Sequence, residues 1–164
     1  MRASSLVSLA PAQREAFLES LSADELDALE HDWHFWARDD QLAPPGLWRI
    51  WLVNAGRGFG KTRLGAEWCH EYAMSTVARI AIVAATKDDA EKVCVAGDSG
   101  IIATQKPWSK VEFKASKNGG TVYWPNGSIA ELYSGDNPQS LLFGNGPIPP
   151  GPGEPGFSFP KGTP

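Results

Sequence analysis

Residues Ile50 to Thr62 read I-W-L-V-N-A-G-R-G-F-G-K-T: a short apolar run, a glycine-rich turn, then a lysine and a threonine at the head of a helical pattern. Strand, glycine-rich loop and helix N-terminus in that order are the context in which a phosphate-binding loop works. The glycines let backbone N–H groups close around phosphate oxygens with no Cβ in the way. In this reading Gly56, Gly58 and Gly60 form the cradle of a nucleotide site. Lys61 reaches the β- and γ-phosphates as a mobile point charge, and the Thr62 hydroxyl completes a Mg²⁺ shell. Ala55 stands where the pattern G-x-x-x-x-G-K-[ST] has its first glycine. The three glycines that follow keep the turn pliable, so the loop reads as a variant. The plainer alternative is an ordinary glycine-rich turn whose lysine is solvated.

Working outward, residues 48–54 are expected to form the strand that feeds the loop. The helix after it places Leu64, Trp68 and Tyr72 on an apolar stripe, with Gly65, Cys69 and Ala73 beside them. Arg63, Glu67, His70 and Glu71 take the other face, and Arg63–Glu67 is a favourable i, i+4 pair. The continuous apolar run Arg79 to Ala85 is typical of a strand buried on both faces of a parallel sheet. Thr86 is placed to cap the next helix, whose Asp88, Asp89 and Glu91 put acids at its positive end. Strand, helix and strand make a βαβ unit. Val111 to Ala115 alternates like a strand, and Asn126-Gly127 between two β-rich runs predicts a hairpin. Before the loop, residues 12–37 read as helical, with Ser22 and Glu25 forming a capping box and Leu26, Leu29, Trp33 and Trp36 on one stripe. Pro44-Pro45-Gly46 then marks a linker.

A chain of 164 residues with 42% hydrophobic and 21% charged residues has the composition of one ordinary globular domain. Its formal net charge of −4 gives no basic surface of the kind a self-sufficient nucleic-acid binder usually carries, so any DNA contact must come from a local patch or from partner subunits. Cys69 and Cys94 have no metal-ligand spacing, and no apolar run approaches a membrane span. His31 and His34 lack a third partner, so a packed or solvated helix face is the better reading than a metal site. Trp33, Trp36, Trp51 and Trp68 read as core residues rather than base-stacking platforms, whereas Trp108 and Trp124 stay undecided.

With these segments in place, the chain resembles the large, ATPase subunit of tailed-phage DNA-packaging terminases and the related enzymes of gene transfer agents. The resemblance covers about residues 10–143. It rests on W-H-F-W-A-R from Trp33 to Arg38 with Gln41 beyond, and on W-L-V-N-A-G-R-G-F-G-K-T-R-L-G-A-E-W from Trp51 to Trp68. It continues through Arg79 to Ala85, A-G-D-S-G-I from Ala96 to Ile101, and W-P-N-G-S-I-A-E-L-Y-S-G-D from Trp124 to Asp136.

The resemblance implies an α/β fold of the P-loop NTPase, RecA/helicase-like kind: an incomplete parallel core sheet with an N-terminal helical extension and a β-hairpin. The implied organisation is an extension and linker over 1–46, a partial ATPase domain over 47–143 and a Gly/Pro-rich tail over 144–164. The implied activity is ATP hydrolysis that drives viral DNA into proheads. ATP and Mg²⁺ are the implied ligands, held by Gly56, Gly58, Gly60, Lys61 and Thr62, with Thr62 reaching the metal. Arg57 matches the arginine that this family carries inside the loop, placed to stabilise the γ-phosphate; without the family it is a surface residue on an exposed turn. Gln41 resembles the family's adenine-side glutamine, or is a polar linker residue. Implied partners are double-stranded DNA, the portal protein, the small subunit and further copies in a motor ring, in the cytoplasm and without a membrane.

The departures are equally specific. In the family, the segment matching Ser134 to Asp136 is followed by a leucine-arginine-glycine turn and then an apolar strand ending in Asp-Glu, which orients Mg²⁺ and activates water. Here Leu141-Leu142-Phe143 leads into a tail in which 13 of 21 residues are Gly or Pro. That composition predicts a disordered segment. The abrupt change at Leu142 leads to the expectation of a prematurely ended or out-of-frame reading, with weak nucleotide binding and poor hydrolysis. The other expectation is a non-catalytic relic.

Overall fold

The computed structural model describes residues 2–116 and 119–136. The Gly/Pro-rich stretch and Leu141 to Phe143 lie outside the described residues.

The N-terminal region is a chain of short helices: α1 (Ala3–Val7), α2 (Pro11–Glu19), α3 (Ala23–Glu30) and α4 (Trp33–Trp36), followed by a 3₁₀ turn over Asp39–Gln41. The helical span expected over 12–37 is thus three helices. The Ser22 box explains one break: the Glu25 carboxylate accepts from the Ser22 N–H at 2.8 Å while the Ser22 hydroxyl accepts from the Glu25 N–H at 3.3 Å. Phe35 is buried, but Trp36, expected in the core, is 52% exposed. Its indole N–H donates to the carbonyls of Leu29 and Glu30 at 2.9 and 3.1 Å, capping the end of α3.

Helix α5 (Lys61–Ser75) lies across a four-stranded sheet of β1 (Arg79–Ala84), β2 (Glu112–Ser116), β3 (Gly119–Tyr123) and β4 (Ile129–Ser134). Between β1 and β2 runs α6 (Lys87–Asp89), which continues into a π-helical turn over Ala90–Val95. Thr86 caps α6 as expected, accepting from the Asp89 N–H at 3.1 Å. The strand order is β1-β4-β3-β2, with β1 parallel to β4 and the other two pairs antiparallel. The sheet is therefore mixed rather than parallel. The Asn-Gly hairpin forms as read, with Gly127 at φ +91°.

Two expectations about strands are overturned. Residues 48–54 form no strand: the segment is irregular and joins no ladder among the described residues, with Ile50 and Leu52 more than four-fifths exposed. An extended run becomes a strand only when its N–H and C=O groups find a ladder, and no described strand offers one. What anchors it instead is a row of rings: Trp51 against Trp48 at 5.9 Å, Trp48 against Trp68 at 6.4 Å, and Trp68 stacked on Tyr72 at 5.1 Å. Strand β1 lies at an edge of the sheet, not between two covered faces. Ile80 and Ile82 face the core while Ala81 and Val83 are exposed.

The core gathers Ala66, Cys69 and Ala73 of α5 with Val122, Ala130 and Leu132 of the sheet and with Ala90, Val95 and Ile101 from the intervening segment. Small residues on α5 let its backbone approach the sheet closely. Glu67 and His70, expected on the solvent face, are buried instead. Glu67 is paired with Arg63 at 2.7 Å and Lys106 at 2.8 Å. The His70 ring meets the Ile101 carbonyl at 2.9 Å through Nε2 and accepts from the Trp124 indole at 3.1 Å through Nδ1, the pattern of a neutral ring. Its partners come from 31 and 54 residues away.

The far end of α5 is closed by the hairpin. The Ala73 carbonyl accepts from Asn126 Nδ2 at 2.6 Å and from the Ser128 hydroxyl at 2.8 Å, and that hydroxyl accepts from the Ala78 N–H at 2.9 Å. Ser128→Ala leaves the Ala78 N–H unpartnered in a site closed to water and takes one of two donors from the Ala73 carbonyl. A loss of about 1–3 kcal/mol is expected by urea denaturation. A second outcome concerns pH. Burial holds the His70 pKa below its ordinary 6.5. The unfolded chain then binds the extra proton first, so the contribution is complete above about pH 6.5 and is lost as pH falls below it toward the folded value. Urea midpoints measured from pH 7.5 to 5 fall in the native protein and fall less in His70→Gln.

Candidate phosphate-binding site

The loop between Asn54 and α5 is shaped by two glycines in the left-handed region, Gly58 at φ +81° and Gly60 at φ +92°. L-residues rarely adopt these values. Gly60 is the N-cap of α5, and its carbonyl takes the first helical hydrogen bond, from Leu64 N–H at 2.9 Å. The N–H groups of the first turn, from Lys61 onward, have no acceptor within the helix and carry its positive end. Gly56 has no positive φ and open space around it.

Lys61 folds back on the loop, donating to the carbonyls of Ala55 and Gly56 at 2.8 Å each. Beside it opens a cleft of about 410 Å³, walled by Arg57, Gly58 and Gly60 of the loop, by Lys61, Thr62 and Arg63 of α5, and by Ser99. Three cations wall this space, and among the described residues no carboxylate lines it. Arg63 is shared, since its guanidinium is also engaged by Glu67 and lies 5.8 Å from the Trp33 ring. A second cavity of about 280 Å³ between α5 and β1 shares Lys61 and Thr62 with this cleft, but the rest of its wall is apolar, with Trp68, Ile80 and Ile82 among its residues, whereas Arg57 and Arg63 border the first cleft alone.

Of the residues singled out from sequence, Arg57, Gly58, Gly60, Lys61 and Thr62 come together around the cleft. Gln41 does not line it: its side chain is buried and its amide donates to the Phe59 carbonyl at 2.9 Å. Ser99 was not foreseen as a wall. It is delivered by a tight turn in which a Cβ on Gly97 or Gly100 would lie 2.7 or 2.6 Å from a backbone oxygen. The clue in the sequence was the A-G-D-S-G-I segment, whose close-packed glycines bring a hydroxyl to the loop. His34 pairs with Glu71 at 3.0 Å, and among the described residues no group of three His, Cys, Asp or Glu is arranged to hold a metal ion.

The family model for the terminase large subunit, T4likevirus-type, N-terminal, matches residues 52–142. The chain belongs to this family. No curated protein and no solved structure matches it. The matched span of the terminase begins two residues after Ile50 and takes in the loop, α5, the whole sheet and the turn that carries Ser99. Membership carries the coarse role, DNA packaging by a terminase. The helices α1 to α4 and the Asp39–Gln41 turn precede the matched span. Among the described residues no helix is long and apolar enough to cross a membrane.

The loop geometry separates its glycines. Gly58→Ala and Gly60→Ala force a side chain into the left-handed region and are expected to cost about 1–2 kcal/mol each. Gly56→Ala carries no such strain and is expected to lie within about 0.5 kcal/mol of the native protein. Urea denaturation of the three variants checks the ranking.

Proposed function

We propose that this terminase segment binds the phosphates of ATP, with Mg²⁺, in the cleft beside α5, and that it is the nucleotide-binding part of a P-loop packaging motor. The observation that carries the reading is the convergence of Arg57, Lys61 and the α5 N-terminus on one cleft that, among the described residues, no carboxylate lines. An anion there gains from fixed N–H dipoles and from mobile cations together. Lys61 would exchange its two loop carbonyls for phosphate oxygens, and Arg57 would offset charge at the terminal phosphate. Thr62 is the residue to hold Mg²⁺, which when bound neutralises charge between the phosphates.

Hydrolysis needs a carboxylate to orient water, and among the described residues none lines the cleft. In this reading the described residues bind nucleotide and by themselves turn it over slowly. Double-stranded DNA, the portal protein, the small subunit and further copies of the motor are the partners that the family resemblance suggests. A second reading, a folded relic that binds nothing, draws on the exposed Ile50, Leu52 and Val83, apolar residues without cover among the described residues.

Isothermal titration with a non-hydrolysable ATP analogue and Mg²⁺ separates the two. Native protein is expected to bind, and Lys61→Ala to weaken binding roughly 10- to 100-fold, the loss of one or two charge-assisted hydrogen bonds. Absence of binding supports the relic. ATP turnover as fast as that of an intact motor contradicts the missing-carboxylate reading.

A further inference from the structure

The N-terminal turn and the phosphate loop meet at one backbone carbonyl, that of Phe59. Arg38 Nη2 donates to it at 3.0 Å and Gln41 Nε2 at 2.9 Å. The Arg38 guanidinium also lies 4.9 Å from the centre of the Phe59 ring, and its Nε is 3.3 Å from Asp40. The amide of Gln41 is oriented at its other end, where Oε1 accepts from the Arg38 N–H at 3.1 Å. With that oxygen engaged, the NH₂ group must face the loop. The fit extends to the next residue: a Cβ on Gly60 would sit 2.9 Å from Gln41 Nε2. Gln41 is buried, and neither it nor Arg38 lines the phosphate cleft.

We propose that Arg38 and Gln41 are positioning residues that clamp the Phe59 carbonyl and thereby aim the Gly60 N–H into the cleft. The physics is that of one peptide plane. In a trans peptide the C=O and the following N–H point in opposite directions. Two donors pin the Phe59 carbonyl on the side of the N-terminal turn, so the Gly60 N–H is presented on the opposite side, where the cleft lies. A glycine-flanked loop has many alternative backbone states, and each one that misdirects this N–H lowers anion affinity. The clamp removes those states before any ligand arrives. It rests on the phosphate-binding reading for its purpose, but its mechanical part stands independently of any ligand. It also assigns the Gln41 amide to the loop backbone instead of to a nucleotide base.

The test uses the full chain with Gln41→Glu, which still accepts from the Arg38 N–H but cannot donate to Phe59, and Arg38→Met, which keeps an apolar stem at a half-exposed position. Backbone ¹⁵N order parameters are measured at residues 57–62 and at residues 66–73 of α5. Binding of Mg²⁺ complexes of ATP, GTP and tripolyphosphate is measured in parallel. Order parameters in the loop are expected to fall from the rigid range of about 0.85 to below about 0.6 in both variants while those of α5 are unchanged. All three ligands are expected to weaken by one common factor, about tenfold. Unchanged loop order parameters in Arg38→Met overturn the clamp even if the Gln41 variant does not fold. Loss of ATP alone, with GTP and tripolyphosphate retained, overturns it in favour of base reading by Gln41. If the native protein binds none of the three, the nucleotide reading fails while the order parameters still decide the clamp.

Discussion

Glu67 is a carboxylate closed off from water on the side of α5 that faces the rest of the fold, and the surrounding structure is organised so that it is never alone. Arg63, one helical turn earlier, and Lys106, 39 residues later, hold its two oxygens. Such a pair adds little net stability, because desolvating the charges cancels much of their attraction, but removing one partner strands the other. The consequence is positional. Lys106 brings the segment after Ile101 against α5, and His70 reinforces the seam one turn on by joining the Ile101 carbonyl and the Trp124 indole. Arg63 is held as well, so a residue that borders the cleft beside α5 is tied to the interior. Part of its charge is already answered there, which leaves Arg57 and Lys61 as the cations free to meet an anion.

From this seam α5 is secured at both ends. At its C-terminus the hairpin supplies Asn126 and Ser128 to the Ala73 carbonyl, so the turn that reverses the chain between β3 and β4 also completes the helix. At its N-terminus the glycine loop hangs between α5 and the Asp39–Gln41 turn. The residues before the family span are therefore part of the site: Arg38 and Gln41 touch the loop backbone, and the row Trp51, Trp48, Trp68 and Tyr72 stitches the approach segment to the helix. The hydrogen bonds from Arg38, Gln41 and Lys61 hold the loop backbone, while Arg57, Lys61, Arg63, Thr62 and Ser99 border the cleft.

Much of the local structure was legible in the chain. The Ser22 box, the Thr86 cap and the Asn-Gly hairpin each depend on residues within four positions of one another, and all three form as read; the glycine loop turns at Gly58 and Gly60 but without the strand expected to feed it. Legibility failed where the deciding partner was remote. The apolar pattern of Ile50 to Val53 is that of a strand, yet a strand needs a neighbour, and the described residues supply none. The run Arg79 to Ala85 reported two apolar faces correctly, but only one face is covered. Glu67 and His70 look like solvent-facing residues at helical spacing. They are inside because Lys106, Ile101 and Trp124 come to meet them, which no periodicity of α5 encodes.

The sequence by itself determined the elements and the chemistry on offer: a pliable glycine turn, a lysine and threonine at a helix start, an arginine between the glycines, and a hairpin. These follow from backbone sterics and short-range hydrogen bonding, whose range is a few residues. Only the tertiary structure decided that Ser99 closes the cleft, that Glu67 is buried and meets Lys106, and that Gln41 spends its amide on the Phe59 carbonyl. Each of those outcomes joins groups 18 or more residues apart. Their energies depend on which polar groups lose water together, and that is settled by packing.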